Sequence, residues 1–343
     1  MSAAEHREQP LPVVDIGPFR RGDDPDAAAA VAAALLDACH RIGFVYVTGH
    51  GIDASLERQL FEAADDFFAL PLEDKQALAI ANSPAFRGYT TLGDERTNGA
   101  SDWREQIDLG PEEAAPPADT VPAWKRLRGP NQWPSAVPQL RPAVLEWMSQ
   151  LEALGLDALR ALAVGLGLDR EHFDPAFMPD SDLHVKIIHY PSQPADADRD
   201  QGVGAHSDTG LATFILQDTT GGLQVEIDGE FVDAPPVEGA YLMNLGEMLQ
   251  RATDGYLLAT RHRVLSPPGG ADRISMALFL NPSFDRVFQT VPLRPEMAAV
   301  AATRPSTPDE VRALFGENNL KTRLRSHPDV AERHYADVLA SDG

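Results

Sequence analysis

Three residues of this 343-residue chain have the types and spacing to hold a metal ion. His206 and Asp208 stand two apart in Gly204-Ala205-His206-Ser207-Asp208-Thr209-Gly210, and His262 follows 56 positions after His206, in Thr260-Arg261-His262-Arg263-Val264. Residues two apart on an extended strand share a face, so an imidazole and a carboxylate can aim at one point. An imidazole from a later strand can complete the set. Two histidines and one carboxylate, with the opposite coordination face open, suit a non-haem Fe(II) oxygenase. An isolated His-x-Asp would mean little. Eleven positions after His262, however, the alternating run Arg273-Ile274-Ser275-Met276-Ala277-Leu278-Phe279-Leu280 begins. Period two puts Arg273, Ser275, Ala277 and Phe279 on one face and the four aliphatic residues on the other. A guanidinium on an otherwise apolar strand calls for an anion. A guanidinium fork beside a hydroxyl is a carboxylate receptor.

These residues belong to an ordered series. Leu11-Pro12-Val13-Val14-Asp15-Ile16 opens it, and the segment from Gly43 to Ile52 follows. Next come Ile188-His189-Tyr190-Pro191, the His206 to Gly210 run, Gln217-Asp218, and Gly221-Gly222-Leu223-Gln224-Val225. Asn244-Leu245-Gly246-Glu247-Met248-Leu249, His262-Arg263-Val264 and Arg273-Ile274-Ser275 complete it. The series resembles the isopenicillin N synthase-like family of Fe(II)- and 2-oxoglutarate-dependent dioxygenases over nearly the whole chain. The resemblance implies an α+β fold, with a double-stranded β-helix (a distorted jelly roll) flanked by N-terminal, central and C-terminal helices. It implies Fe(II), 2-oxoglutarate and O2 as cofactor and co-substrates, with His206, Asp208 and His262 as metal ligands. Arg273, Ser275 and Tyr190 would hold 2-oxoglutarate. Two departures stand out. Glu247 occupies a usual aspartate position, and Lys186-Ile187-Ile188-His189-Tyr190 lacks the asparagine of the plant branch's Arg-x-Asn-x-Tyr.

Three protein ligands leave three positions on an octahedral iron. A 2-oxo acid can chelate through its keto oxygen and one carboxylate oxygen, leaving one site for O2, and its remote carboxylate then needs Arg273 and Ser275. In the family's scheme, decarboxylation gives succinate, CO2 and an oxidant that removes a hydrogen atom from substrate. The carboxylate of Asp208 disfavours halogenation, because halogenating relatives lack it. The expected substrate is a small molecule, a carboxylate-bearing amino acid or natural-product intermediate, which is hydroxylated, desaturated or cyclised. Phe86-Arg87-Gly88-Tyr89 resembles the segment lining the substrate mouth, with Arg87 as carboxylate receptor and Tyr89, Trp103 and Phe284 as walls. Asp102 and Arg104 read as a loop–core salt-bridge network, and Phe279 as core. Two alternatives remain open on sequence alone. One is an isopenicillin N synthase-type oxidase that uses Fe(II) and O2 without 2-oxoglutarate. The other is a non-redox metal-binding β-barrel such as a zinc hydrolase, which has no use for Arg273 and Ser275.

Composition narrows the partners. A net charge of −23 repels nucleic acid and anionic membranes. The single cysteine, Cys39, excludes an internal disulfide, suits a reducing cytoplasm and reads as a small core residue. The charged Met1–Pro10 segment is no signal peptide, and a cytoplasmic monomer is expected. Asp24-Pro25 starts a helix running to His40. The apolar spacing of Leu56, Leu60, Ala64 and Phe67 predicts a second helix over 53–69. Residues 111–138 read as an irregular connection. Leu140 to Leu166 reads as helical, interrupted at Pro142 and Gly155. Short strands are expected from Leu183 to Leu280, with a hairpin at Asp228-Gly229. Thr307-Pro308-Asp309-Glu310 is a capping box for a C-terminal helix, a possible lid. His50 and His189 read as structural, and His40, His172, His184, His327 and His334 fit no pattern. The expected regions of one catalytic domain are 1–120 (N-terminal, with the substrate mouth), 121–182 (connection and central helix), 183–285 (dioxygenase core) and 286–343 (C-terminal helices).

Overall fold

The computed structural model describes residues 11–178, 180–193, 201–267, 270–304 and 311–341. In its N-terminal part the chain forms β1 (Val13–Asp15), α1 (Gly17–Arg21), α2 (Pro25–Arg41), β2 (Phe44–Thr48), α3 (Ala54–Phe68) and α4 (Leu72–Gln76). Then come β3 (Gly88–Thr90), β4 (Arg96–Thr97), β5 (Ala100–Ser101), β6 (Glu105–Leu109) and α5 (Leu140–Leu166). The strands β7 (Asp182–Tyr190), β8 (Gln201–His206), β9 (Ala212–Gln217), β10 (Leu223–Ile227), β11 (Glu230–Asp233) and β12 (Tyr241–Leu245) lead to α6 (Glu247–Ala252), β13 (His262–Leu265) and β14 (Arg273–Asn281). Four helices end the chain: α7 (Pro295–Ala301), α8 (Phe315–Ser326), α9 (Pro328–His334) and α10 (Ala336–Ser341).

An eight-stranded sheet in the order β1-β2-β12-β9-β14-β7-β6-β3 faces a four-stranded sheet in the order β11-β10-β13-β8. Strand parity decides what each face meets. Ile274, Met276, Leu278 and Leu280 of β14 join the core formed with the helices, where α5 contributes Trp147, Leu151 and Leu162. Ala277 and Phe279 face the other way, with Ile188, Ile215 and Leu242, toward Val203, Leu223, Val225 and Val264 of the smaller sheet. This second, inter-sheet core forms the walls of the site. The arrangement is the α+β jelly roll that the resemblance implies.

Local chemistry sets the elements. Asp24 accepts hydrogen bonds from the backbone N–H groups of Asp26 and Ala27 and so caps α2, and Asp53 caps α3 through Ser55 N at 2.7 Å. Asp228 (φ 52°) and Gly229 (φ 85°) turn β10 into β11 with both φ positive, as a two-residue hairpin of this twist requires. Cys39 is fully buried, and His50 hydrogen-bonds Gly239 O and Ile52 N within the fold. The 111–138 connection is irregular apart from a 3-10 turn at Ala123–Leu127.

One expectation is overturned. α5 is a single 27-residue helix, uninterrupted at Pro142 or Gly155. Pro142 lies in the first turn, where its missing N–H removes no intrahelical bond. At Gly155 the helix presses on the sheet. A Cβ there would meet Leu280 Cδ2 at 2.5 Å, so tertiary packing retains the glycine against its low helix propensity. The capping box at 307–310 and the 1–10 segment lie outside the described residues. No helix among the described residues is long and apolar enough to cross a membrane.

Candidate active site

His206 ends β8 and His262 begins β13, and the two are direct cross-strand partners with ring centroids 4.3 Å apart. One ligand atom from each of His206, Asp208 and His262 falls within 4.8 Å of the others. Asp208 Oδ1 lies 3.7 Å from His206 Nε2 and 3.8 Å from His262 Nε2. Asp208 is not on the strand as the two-residue spacing suggested, because β8 stops at His206. Its position is set from outside its own segment. Its carbonyl accepts from Glu247 N at 2.8 Å, and its Oδ2 accepts from Asn244 Nδ2 at 2.7 Å and from the Thr213 hydroxyl. With Oδ2 so occupied, Oδ1 is the oxygen turned toward the histidines.

Both imidazoles are fixed in the same way. His206 Nδ1 donates to Gly204 O at 2.8 Å and His262 Nδ1 to Thr260 O at 3.2 Å. With Nδ1 protonated, each Nε2 offers a lone pair to the shared centre. Desolvation and the facing His262 push the His206 imidazole down to about 4, so it is neutral at neutral pH, as a metal ligand must be. Burial would raise the Asp208 carboxyl, but His262, His206, Thr213 and Asn244 hold it below the usual carboxylate range. Thr213 and Asn244 come from β9 and β12 and were not singled out for this role by spacing.

Farther along β14, Arg273 is buried at 1 % exposure. One terminal nitrogen donates to Ser275 Oγ at 2.9 Å and the other to Gln217 Oε1 at 3.1 Å, while the guanidinium lies 4.8 Å from the centre of the Tyr190 ring. All of these partners are neutral, and Nε has none. A buried cation surrounded by neutral groups is costly unless an anion joins it. Ser275 and Gln217 are register partners, as are Ala277 and Ile215 and then Phe279 and Thr213. Thus one sheet face runs from the residue that holds Asp208, past the apolar Ile215 and Ala277, to the guanidinium. That slot fits an elongated dicarboxylate chelated at one end and paired at the other.

A densely charged network reaches the His-Asp-His set through Asp102 and Gly204. Arg87 is buried at 2 % exposure, and its NH1 donates to Leu109 O at 3.1 Å and to His184 Nδ1 at 2.9 Å. His184 Nε2 lies 2.9 Å from Asp108 Oδ1, and Lys186 joins Asp108 at 3.6 Å and Glu95 at 2.9 Å. Arg104 bridges Glu95 at 3.1 Å and Asp102 at 3.2 Å. Asp102 Oδ1 accepts from Gly204 N at 3.1 Å, two residues before the first metal-site histidine. Asp102 and Arg104 are therefore a salt-bridge network that also buttresses β8. The β4–β5 hairpin packs there so closely that a Cβ at Gly204 would meet Thr97 Cγ2 at 2.9 Å.

Three residues read as substrate walls sit elsewhere. Tyr89 points to the helix-side core and donates to Glu105 Oε2, because Gly88 and Thr90, not Tyr89, share the inner face of β3. Phe284 stacks on Phe315 at 5.9 Å in that same core. Trp103 alternates with the inward Asp102 and Arg104, and its indole donates to Pro191 O at 3.0 Å. Phe279 instead lies against His184, with ring centroids 5.5 Å apart. His189 faces away from Tyr190, between Glu105 at 2.8 Å and Asp272 at 3.2 Å.

Known proteins resemble this chain in sequence and fold. Residues 11–136 match the model of the non-haem dioxygenase N-terminal region named for morphine synthesis, and residues 181–282 match the 2OG-Fe(II) oxygenase superfamily. The chain is 33 % identical to the 2-oxoglutarate-dependent dioxygenase frbJ of Dothideomycetidae sp., over 96 % of this chain and 94 % of that one. It is 30 % identical to a homoarginine-6-hydroxylase of Arabidopsis thaliana, over 94 % and 90 % of the two chains. Among solved structures, a full-length Neurospora crassa protein in complex with alpha-KG and thymine superposes with a TM-score of 0.74 at 26 % identity, covering 91 % of this chain and 97 % of that one. With sequence, fold and a converging His-Asp-His set in agreement, the chain belongs to the 2OG-Fe(II) oxygenase superfamily, as an oxidoreductase that uses Fe(II), 2-oxoglutarate and O2.

Proposed function

We propose that His206 Nε2, Asp208 Oδ1 and His262 Nε2 hold the Fe(II), and that Arg273, Ser275, Gln217 and Tyr190 receive the distal carboxylate end of 2-oxoglutarate. The observation that carries this reading is the buried Arg273 guanidinium, which has only neutral partners on the sheet face leading from Thr213. Iron with O2, and 2-oxoglutarate as the co-reductant leaving as succinate and CO2, supply the power to oxidise a substrate C–H bond. The chain's own residues do the rest. Thr213 and Asn244 leave one Asp208 oxygen for the metal. The Gly204 and Thr260 carbonyls keep both imidazoles in the ligating tautomer. Ile188, Ile215 and Ala277 line a slot that excludes water along the co-substrate.

For the substrate, we infer a small molecule bearing a carboxylate, an amino acid or natural-product intermediate, with Arg87 as its receptor. Supporting this, Arg87 is buried, its contacts at NH1 are a carbonyl and an imidazole, and its Nε has no partner. Burial first, and then the like charge of Arg323, push its guanidinium down to about 10 against the pull of Asp182, Asp108 and Glu113. The test is succinate release with Fe(II) and 2-oxoglutarate over a panel of amino acids and other small carboxylates. Arg87→Ala is expected to keep slow 2-oxoglutarate decarboxylation while product formation collapses. An unchanged product yield removes Arg87 from the substrate site, and full turnover without any 2-oxo acid returns the chemistry to an oxidase.

A further inference from the structure

Buried charge near the metal cluster is balanced almost everywhere. Glu95 and Asp102 neutralise Arg104, and Glu95 and Asp108 neutralise Lys186. Besides Arg273, two buried guanidinium groups break the pattern, and Phe86 links them. Arg87 makes no ion pair among the described residues. Arg323, on α8, is buried at 9 % exposure, and its Nε donates to the neutral Asn319 Oδ1 at 2.9 Å. Its guanidinium sits 5.9 Å from the ring centre of Phe86, the residue preceding Arg87, and its charge reaches Arg87 and His184. Asp182, Asp108 and Glu113 act on Arg87 only from a distance, without an ion pair, and Asp182 takes hydrogen bonds from the amides of Asn281 at 3.3 Å and Asn319 at 3.0 Å. The niche is built for this arrangement. Gly110 carries no side chain where a Cβ would strike the Arg87 guanidinium at 2.2 Å. Phe86, fully buried, holds φ at 54°, a conformation that a bulky residue adopts only under constraint.

We propose that Arg87 and Arg323 together form a two-guanidinium receptor for the substrate's carboxylate, so that the C-terminal helix α8 supplies half of the substrate's anchor. This deepens, and rests on, the reading of the substrate as a carboxylate. Geometry also limits how far that carboxylate stands from the carbon that is oxidised. Arg87 binds His184 on β7, and Thr213, which holds Asp208, lies on β9 with only β14 between. Neighbouring strands are about 4.8 Å apart, so the receptor is roughly 10 Å from the metal end of the sheet. A substrate must span that gap with an apolar or weakly polar body, since Phe279 lies against His184 along the way. An amino acid as short as glycine or alanine cannot reach both ends.

The test is anaerobic calorimetry on the iron-loaded protein with saturating 2-oxoglutarate, so that Arg273 is already engaged. The probes are straight-chain monocarboxylates of four to ten carbons and the matching primary amides. The acids are expected to bind on the order of tenfold or more tighter than the amides, with a length optimum. Arg323→Gln should erase that preference, Arg323→Lys should keep part of it, and Arg325→Gln, exposed on the same helix, should leave it intact. Arg87→Gln should erase the preference as well; should that variant fail to fold, the two Arg323 variants decide. Equal binding of acid and amide, no binding by any acid of the series, or full acid preference in Arg323→Gln would each overturn the receptor. Because no turnover is needed, failure of 2-oxoglutarate consumption would count against the oxygenase reading and leave this result standing.

Discussion

At the scale of single residues, the account rests on which oxygen or nitrogen each side chain has free. Arg273 has a free Nε and only neutral partners, so removing it should weaken 2-oxoglutarate specifically. Truncating a buried charged hydrogen-bonding partner costs on the order of 2–5 kcal/mol. Arg273→Ala should therefore raise the apparent constant for 2-oxoglutarate by at least about thirtyfold, with iron binding nearly intact in a metal titration. Ser275→Ala, losing one neutral hydrogen bond, should cost about 1 kcal/mol. Asn244→Ala acts on the metal instead. It removes one of the two hydrogen bonds that Asp208 Oδ2 accepts, and loss of such an orienting partner typically lowers metal affinity about 10- to 100-fold. Equal iron affinity in Asn244→Ala and the parent protein would remove that residue from the account. His206, Asp208, His262, Arg273 and Ser275 were singled out from sequence because each stands within a few positions of another or in an ordered motif. Thr213, His184 and Arg323 were not singled out, and Gln217 and Asn244 entered only as members of the ordered series, without a role. Their roles depend on strand register and on a helix arriving from the far end of the chain, and no local spacing records either. Tyr89 shows the related limit. Alternation says that Tyr89 and Thr90 face opposite ways, but only the assembled sheet says which way is inward.

At the scale of elements, a cap and a turn pair announced α2 and the β10–β11 hairpin, and apolar spacing announced α3, because these signals act within three or four residues. The continuity of α5 could not be read, since Gly155 answers to Leu280 and Phe214 across the core. Gly155→Ala should lower the melting temperature, because overpacking a tight contact typically costs about 1–3 kcal/mol despite alanine's better helix propensity. A melting temperature equal to or above the parent's would show that the helix can shift. On β7, His189 ties the sheet to Glu105 and Asp272. Burial opposes its protonation, but the two carboxylates prevail and hold it above the usual imidazole range. A raised folded-state value means that its contribution is complete below the unfolded value of about 6.5 and disappears as pH rises through the folded one. The melting-temperature gap between the parent and His189→Gln should thus be widest in mild acid and shrink toward pH 8. A gap that grows with pH would contradict the assigned charge.

At the scale of the whole molecule, the two sheets divide the work. The eight-stranded sheet carries the Thr213 and Asn244 supports, the Arg273 receptor and the His184–Arg87 contact on one face, and the smaller sheet brings His206 and His262 over it. The N-terminal hairpin braces β8 through Asp102, and α8 closes the far end with Arg323. On the proposed reading, iron, 2-oxoglutarate and substrate would each have a receptor built from different stretches of sequence. The central claim is that one Fe(II) centre held by His206, Asp208 and His262 couples 2-oxoglutarate decarboxylation to oxidation. The most direct measurement is succinate formed per unit time by protein loaded with Fe(II) and 2-oxoglutarate, compared among the parent, Asp208→Ala and Arg273→Ala. The account predicts steady succinate release from the parent, none above background from Asp208→Ala, and release from Arg273→Ala that recovers at high 2-oxoglutarate. Undiminished succinate from Asp208→Ala, or substrate oxidation at full rate with no 2-oxo acid present, would contradict it.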